Sequence, residues 1–136
     1  MNWFTIPLEL RFSDMDSMGH VNNAVYFSYF EQVRIAFLDS ILGKKIRYSE
    51  NGIILANAHA DFKRPVVYRD SVIGRCRVSK IGTKSFEMEY EIVLSDGNDE
   101  VIAATGSTVM VCFDYTRNET MVMPDFWRSK LEGSML

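Results

Sequence analysis

Two periods of hydrophobicity divide the chain. Over residues 23–42, Tyr26, Tyr29, Phe30, Val33, Phe37 and Ile41 recur at intervals of three and four, and Gly43 follows as a stop signal, which predicts one long helix. Phe27, Ile35 and Leu38 place apolar groups on its other sides, leaving Ser28, Glu31, Gln32, Arg34, Asp39 and Ser40 polar. So narrow a polar face predicts a helix that a sheet wraps around. Over residues 85–95 the period drops to two: Phe86, Met88, Tyr90, Ile92 and Leu94 alternate with Ser85, Glu87, Glu89 and Glu91, the pattern of a strand with one face buried and one wet. Residues 5–12, 53–62, 71–81 and 101–113 also read as strands. Turn signals at Arg64-Pro65, Ile81-Gly82-Thr83 and Asp96-Gly97-Asn98 separate them. Pro124 opens a predicted short terminal helix ending near Gly133.

The order is strand, loop, long helix, then about four long strands. Hairpin connections make such a sheet antiparallel, and one helix on one face gives an α+β fold. Its uncovered sheet edges predict self-association as a homodimer or homotetramer. At 136 residues the chain fits one domain, 1–136, long enough to bury roughly two thirds of its unfolded surface.

A net charge of −3 supplies no general attraction for nucleic acid, so any phosphate-bearing ligand must be held by a local basic cluster. No segment approaches the roughly 20 apolar residues of a membrane span, and no basic leader precedes an apolar run. A cytoplasmic location is expected. Cys76 and Cys112 lie far apart in apolar runs and fit no zinc or redox spacing, which predicts two buried free thiols.

The chemistry is concentrated in "DMDSMGHVNN", residues 14–23. Asp14, Asp16 and Gly19 match positions 1, 3 and 6 of a calcium loop, but Met18 stands at position 5 and Val25 where position 12 demands a bidentate glutamate. Calcium is excluded. His20 and His59 are the two histidines and neither has a helical partner at i+3 or i+4, so no metal is expected. A Gly-x-Ser-x-Gly elbow and phosphate-cradling glycine loops are absent. What remains is geometric: the loop delivers Val21-Asn22-Asn23 to the helix start, where free N–H groups and the dipole favour an anion or a developing oxyanion. Asn22 or Asn23 is the natural N-cap, and plain turn roles for Asp14 and Asp16 stay open.

"RFSDMDSMGHVNNAVYFSYFEQVRIAFLD" resembles the signature of the hotdog-fold acyl-CoA thioesterases of the 4-hydroxybenzoyl-CoA thioesterase type: Asp-x-Asp-x-x-Gly, then a helix bearing an early Tyr, an acidic residue and Arg. The similarity continues through "DFKRPVVYRDSV" and "TKSFEMEYEI" to about Asp114. It implies a long helix wrapped by an antiparallel sheet of about five strands, paired subunits, and hydrolysis of an acyl-CoA thioester to free acid and coenzyme A. Coenzyme A is then part of the substrate and no separate cofactor is expected. Carried over by position, Asp16 is the catalytic carboxylate, as nucleophile or general base, and Asn23 the backbone donor that polarises the thioester carbonyl.

The family's phosphate-holding basic residues precede a Ser-Phe pair. Lys84 keeps that place, Gly82 and Thr83 stand where other members carry arginines, and Lys63, Arg64 or Arg69 are candidates to compensate. "GHVNN" also resembles the acyl-ACP thioesterases of the same fold; His20 matches their histidine, while Met18 replaces their asparagine. Tyr26, near the helix start, and His59 are candidates to line the substrate pocket, set against core and sheet roles. Glu31 and Arg34, spaced i,i+3, read as an intrahelical ion pair. Two other classes stay open: a non-catalytic acyl-CoA binding module, and a hotdog hydratase or dehydratase, which looks for a helix histidine that this helix lacks.

Overall fold

The computed structural model describes residues 3–44, 46 and 50–136. Strand β1 (Phe4–Leu8) leads through a 3-10 turn (Phe12–Asp14) and the 14–23 loop into helix α1 (Val25–Leu42). Strands β2 (Asn51–Phe62), β3 (Val72–Ile81), β4 (Ser85–Asp96) and β5 (Asp99–Asp114) follow, then β6 (Glu119–Thr120) and helix α2 (Asp125–Ser134). All strand pairs are antiparallel, in the order β1-β3-β4-β5-β2, with the two-residue β6 also on β5.

The period of two explains the sheet's faces. Cys76, Val78, Phe86, Met88, Tyr90 and Ile92 are buried on the inner face. The intervening positions turn outward and pair across strands: Arg75 Nε donates to Glu91 Oε1 at 2.7 Å and Arg77 Nη2 to Glu89 Oε2 at 3.0 Å. Helix α1 packs on the inner face through buried Tyr26, Tyr29, Phe30, Val33, Phe37 and Leu38. Its Phe30 ring stacks on Tyr90 with centroids 4.9 Å apart. Glycine at 106 permits this approach, because a Cβ there would run into the Phe30 ring and lie 3.0 Å from the His59 carbonyl.

Several predicted boundaries move. The first strand ends at Leu8 because the Asp14 carboxylate accepts the Arg11 N–H at 3.1 Å and closes a turn over Phe12–Asp14. Helix α1 starts at Val25 with Ala24 at its N-cap, not Asn22 or Asn23. Asn22 instead forms its own turn ahead of the helix: its side-chain oxygen accepts the Ala24 N–H at 3.0 Å and its carbonyl the Val25 N–H at 2.9 Å. The terminal helix is present, one residue after Pro124, and buries Trp127 and Leu131.

Cys76 and Cys112 are buried free thiols, and burial pushes them up to about 12 and about 11. Strand β2 is one edge of the sheet, and its stretch from Leu55 to His59 is exposed on both faces. Among the described residues no helix is long and apolar enough to cross a membrane.

Candidate active site

The 14–23 loop is closed at its base and open at its tip. At the base, Asp14 is 2% exposed. Its carboxylate accepts Tyr29 Oη at 2.8 Å, the Arg11 N–H at 3.1 Å, and Arg11 Nη2 and Nε at 3.1 and 3.3 Å. Its carbonyl accepts the Asn22 N–H at 2.9 Å, and a Met15–Val21 bridge lies just above. Burial works to raise the Asp14 carboxyl, but the hydrogen bonds from Arg11 and Tyr29 and the guanidinium charge together hold it below the usual carboxylate value. Tyr29 answers in the opposite sense: burial first, then the hydrogen bond to Asp14, push its phenol up.

Asp16 sits at the tip and is exposed. Its Oδ1 accepts the N–H groups of Met18 at 2.9 Å and His20 at 3.2 Å, while its backbone N–H donates to the His20 carbonyl at 2.7 Å. Gly19, at φ +80°, makes the reversal between them. Oδ2 has no hydrogen bond among the described residues. At the helix start, the N–H groups of Asn22, Ala24 and Val25 are all taken, whereas that of Asn23 is unpaired among the described residues. The Val21 N–H, donating to the Val66 carbonyl at 2.8 Å, ties the loop to the chain after β2.

A shallow cavity of about 220 Å³ collects these groups: Asp16, His20, Asn23, Tyr26, Lys63 and Arg64 line it, with Phe62. The Tyr26 and Phe62 rings meet edge to face, centroids 5.1 Å apart, and floor it. Six of the eight residues predicted for the site therefore share one cavity. Two do not share it within the chain. His59 faces the outer side of the sheet, where its Nε2 lies 3.3 Å from Asp61 Oδ2 in a separate polar hollow. Lys84 lies in the β3–β4 turn, eight residues along β4 from Ile92, whose neighbour Ala104 pairs with Phe62 at the cavity: roughly 26 Å at the strand rise. Arg69, the remaining basic candidate, lines a different hollow beside β1.

Sequence reasoning missed the Arg11–Asp14–Tyr29 clamp. Arg11 carried a local signal, three residues before Asp14. Tyr29, fifteen residues away in sequence, carried none. Among the described residues no cluster of His, Cys, Asp or Glu is arranged to hold a metal ion.

Helix, sheet and loop of this kind define a class. Residues 10–131 match the thioesterase-like superfamily, and the chain belongs to it. The fold is the hotdog: a predicted thioesterase from Bacillus stearothermophilus superposes with a TM-score of 0.86 at 23% identity, covering 98% of this chain and 96% of that one. A thioesterase from Thermus thermophilus, solved with coenzyme A and zinc, superposes with a TM-score of 0.81 at 28% identity, over 95% of this chain and 91% of that one. In sequence, the chain is 28% identical over 125 residues to the 1,4-dihydroxy-2-naphthoyl-CoA hydrolase of Nostoc punctiforme, 90% of this chain and 82% of that protein.

Proposed function

We propose that the protein hydrolyses acyl-CoA thioesters, as an enzyme of the 4-hydroxybenzoyl-CoA thioesterase type, with Asp16 and the Asn23 N–H as its working groups. One observation carries the reading: Asp16 and Asn23, whose Oδ2 and backbone N–H respectively have no partner among the described residues, line the same cavity at a helix N-terminus. In the general-base form, Oδ2 of Asp16 takes a proton from water as the water oxygen attacks the carbonyl carbon. The carbonyl oxygen becomes negative and is stabilised by the Asn23 N–H and the helix dipole. Collapse breaks the C–S bond, and the proton on Asp16 passes to the departing thiolate. In the nucleophile form, the Asp16 oxygen bonds the carbonyl carbon, thiolate leaves, and water hydrolyses the resulting anhydride. With water attacking the anhydride at the Asp16 carboxyl carbon, single turnover in oxygen-18 water separates the two, since only the second form then leaves label in Asp16.

Lys63 and Arg64, which line the same cavity, would meet the coenzyme A phosphates in this reading, which needs no separate cofactor. The free β2 edge favours self-association, edge to edge with a second copy. Antiparallel pairing of two β2 strands about Asn57 would set Phe62 of one copy beside Gly52 of the other. Light scattering tests that state. His20 in the same cavity favours a second reading, an acyl carrier protein thioester as substrate, so the assay includes one. The decisive experiment follows free thiol released from a panel of acyl thioesters by wild type and Asp16→Asn. Turnover lost in the variant supports the proposal. Equal rates, or turnover of none of the panel, overturn it.

A further inference from the structure

A buried cation sits in the wall between helix α1 and the β2–β5 edge. Arg34, in the third turn of α1, is 7% exposed. It lines a cavity of about 310 Å³ with Glu31, Ile35, Leu38, Ile53 and Met110, and also a neighbouring one of about 140 Å³. Among the described residues its guanidinium makes one hydrogen bond, from Nη1 to Tyr90 Oη at 3.2 Å. Tyr90 Oη is in turn 2.6 Å from Thr108 Oγ1, so that end is fixed from the sheet. At the other end, Nη2 and Glu31 Oε2 stand 3.9 Å apart, too far for a hydrogen bond. A guanidinium carries five N–H donors, and those that Tyr90 does not take are not sealed in the core, which leaves them open to an acceptor in the cavity.

We infer that Arg34 and Glu31 form a polar clamp for a hydroxyl borne by the acyl group, making Arg34 a specificity-determining residue of a cavity that Ile35, Leu38, Ile53 and Met110 line with apolar groups and Asp39 and Tyr115 with polar ones. The inference rests on the thioesterase reading and on the β2 pairing about Asn57 proposed with it. The chemistry of the gap selects the ligand. An oxygen lodged between the two groups must accept from Nη2 and donate to Oε2, which a hydroxyl does and a methylene cannot. A carboxylate would accept from Arg34 but meet the Glu31 carboxylate head on. Leu38, Ile53 and Met110 supply the apolar surroundings for the rest of the group. The clamp lies eleven residues along the helix from Asn23, roughly 16 Å at the helical rise, and its cavity shares no lining residue with that of Asp16 within one chain. With two β2 edges paired antiparallel, however, the Gly52 end of one copy, which lines this cavity, comes next to the Phe62 end of the other, which lines the Asp16 cavity. The acyl group then enters from the other copy's thioester site.

The test compares matched thioesters on the full protein: dodecanoyl-, ω-hydroxydodecanoyl- and ω-carboxydodecanoyl-CoA, and benzoyl- and hydroxybenzoyl-CoA. A hydroxylated member should exceed its plain partner by ~10-fold or more in kcat/KM, because a site built around a hydroxyl leaves its polar groups unpaired without it. Arg34→Met, an apolar side chain of similar length, should bring that ratio to near one. Glu31→Gln, on an exposed side chain whose change spares the core, should lower it and admit the ω-carboxy substrate. In parallel, the free hydroxylated and plain acids are added to wild type and the melting temperature is read. A shift for the hydroxylated acid without turnover of any thioester would overturn the thioesterase reading and keep the clamp. Turnover without preference, and no differential shift, would overturn the clamp and leave the thioesterase reading standing.

Discussion

The base and the tip of the 14–23 loop each carry an aspartate, two residues apart, in opposite circumstances. Asp14 at the base is buried, with both carboxylate oxygens engaged by Arg11 and Tyr29. Asp16 at the tip is exposed, and one of its oxygens is left over among the described residues. A carboxylate whose acceptors are all satisfied by the fold stabilises the fold. One with an acceptor left over among the described residues, in the same cavity as an N–H equally left over, is open to a ligand. Identical side chains in one motif thus differ in how their lone pairs are used: those of Asp14 are spent on the fold, and the spare one of Asp16 is what the proposed mechanism draws on.

The largest effect should come from breaking the tip. Asp16→Asn keeps the Oδ1 acceptor of the turn but loses the base, and the rate of thiol release should fall ~10²- to 10⁴-fold. The melting temperature should barely move, since the side chain is exposed. Breaking the base should do the reverse. Asp14→Asn replaces a buried, charge-assisted acceptor and should cost about 1.5–3 kcal/mol in denaturant unfolding. Its sign with pH is fixed by the depressed carboxyl: the stabilisation is fully present above the ordinary value of 3.8 and is lost as pH falls through the lower folded value. The gap between wild type and Asp14→Asn should therefore close on acidification below about pH 4.

Tyr29→Phe removes one donor from Asp14 and should cost about 1–2 kcal/mol by the same measurement, with the shape of the side chain otherwise kept. Smallest is Gly19→Ala. Its positive φ disfavours a Cβ by roughly 1 kcal/mol, although the space around it is open. A loss of activity larger than that strain explains would show that the reversal at Gly19 also aims the Asp16 carboxylate.

The elements were legible where local pattern and tertiary packing agree. The three- and four-residue spacing of Tyr26, Tyr29, Phe30, Val33 and Phe37 marks the buried face of α1, and the alternation around Tyr90 marks the two faces of β4. The helix start was not legible, because Asn22 can cap a helix or close a turn one step earlier, and its side chain chose the turn. The pairing of Asp14 with Tyr29 depends on how α1 lies on the sheet, which no local spacing encodes. His59 was readable as alternating with Asp61, yet a strand exposed on both faces gives no signal of which side meets the site. Lys84 follows from resemblance alone, and the hairpin that carries it sits at the far end of β4 from Asp16.

The two sealed thiols have a practical consequence. A reaction that liberates coenzyme A is followed by colouring the new sulfhydryl, and a protein with reactive cysteines would consume the dye and blur the zero point. Cys76 and Cys112, inaccessible and overwhelmingly protonated at neutral pH, contribute no thiolate to that background. Folded protein can be assayed at high concentration against slow substrates, and any slow colour in the blank becomes a readout of the fraction of chains that have opened.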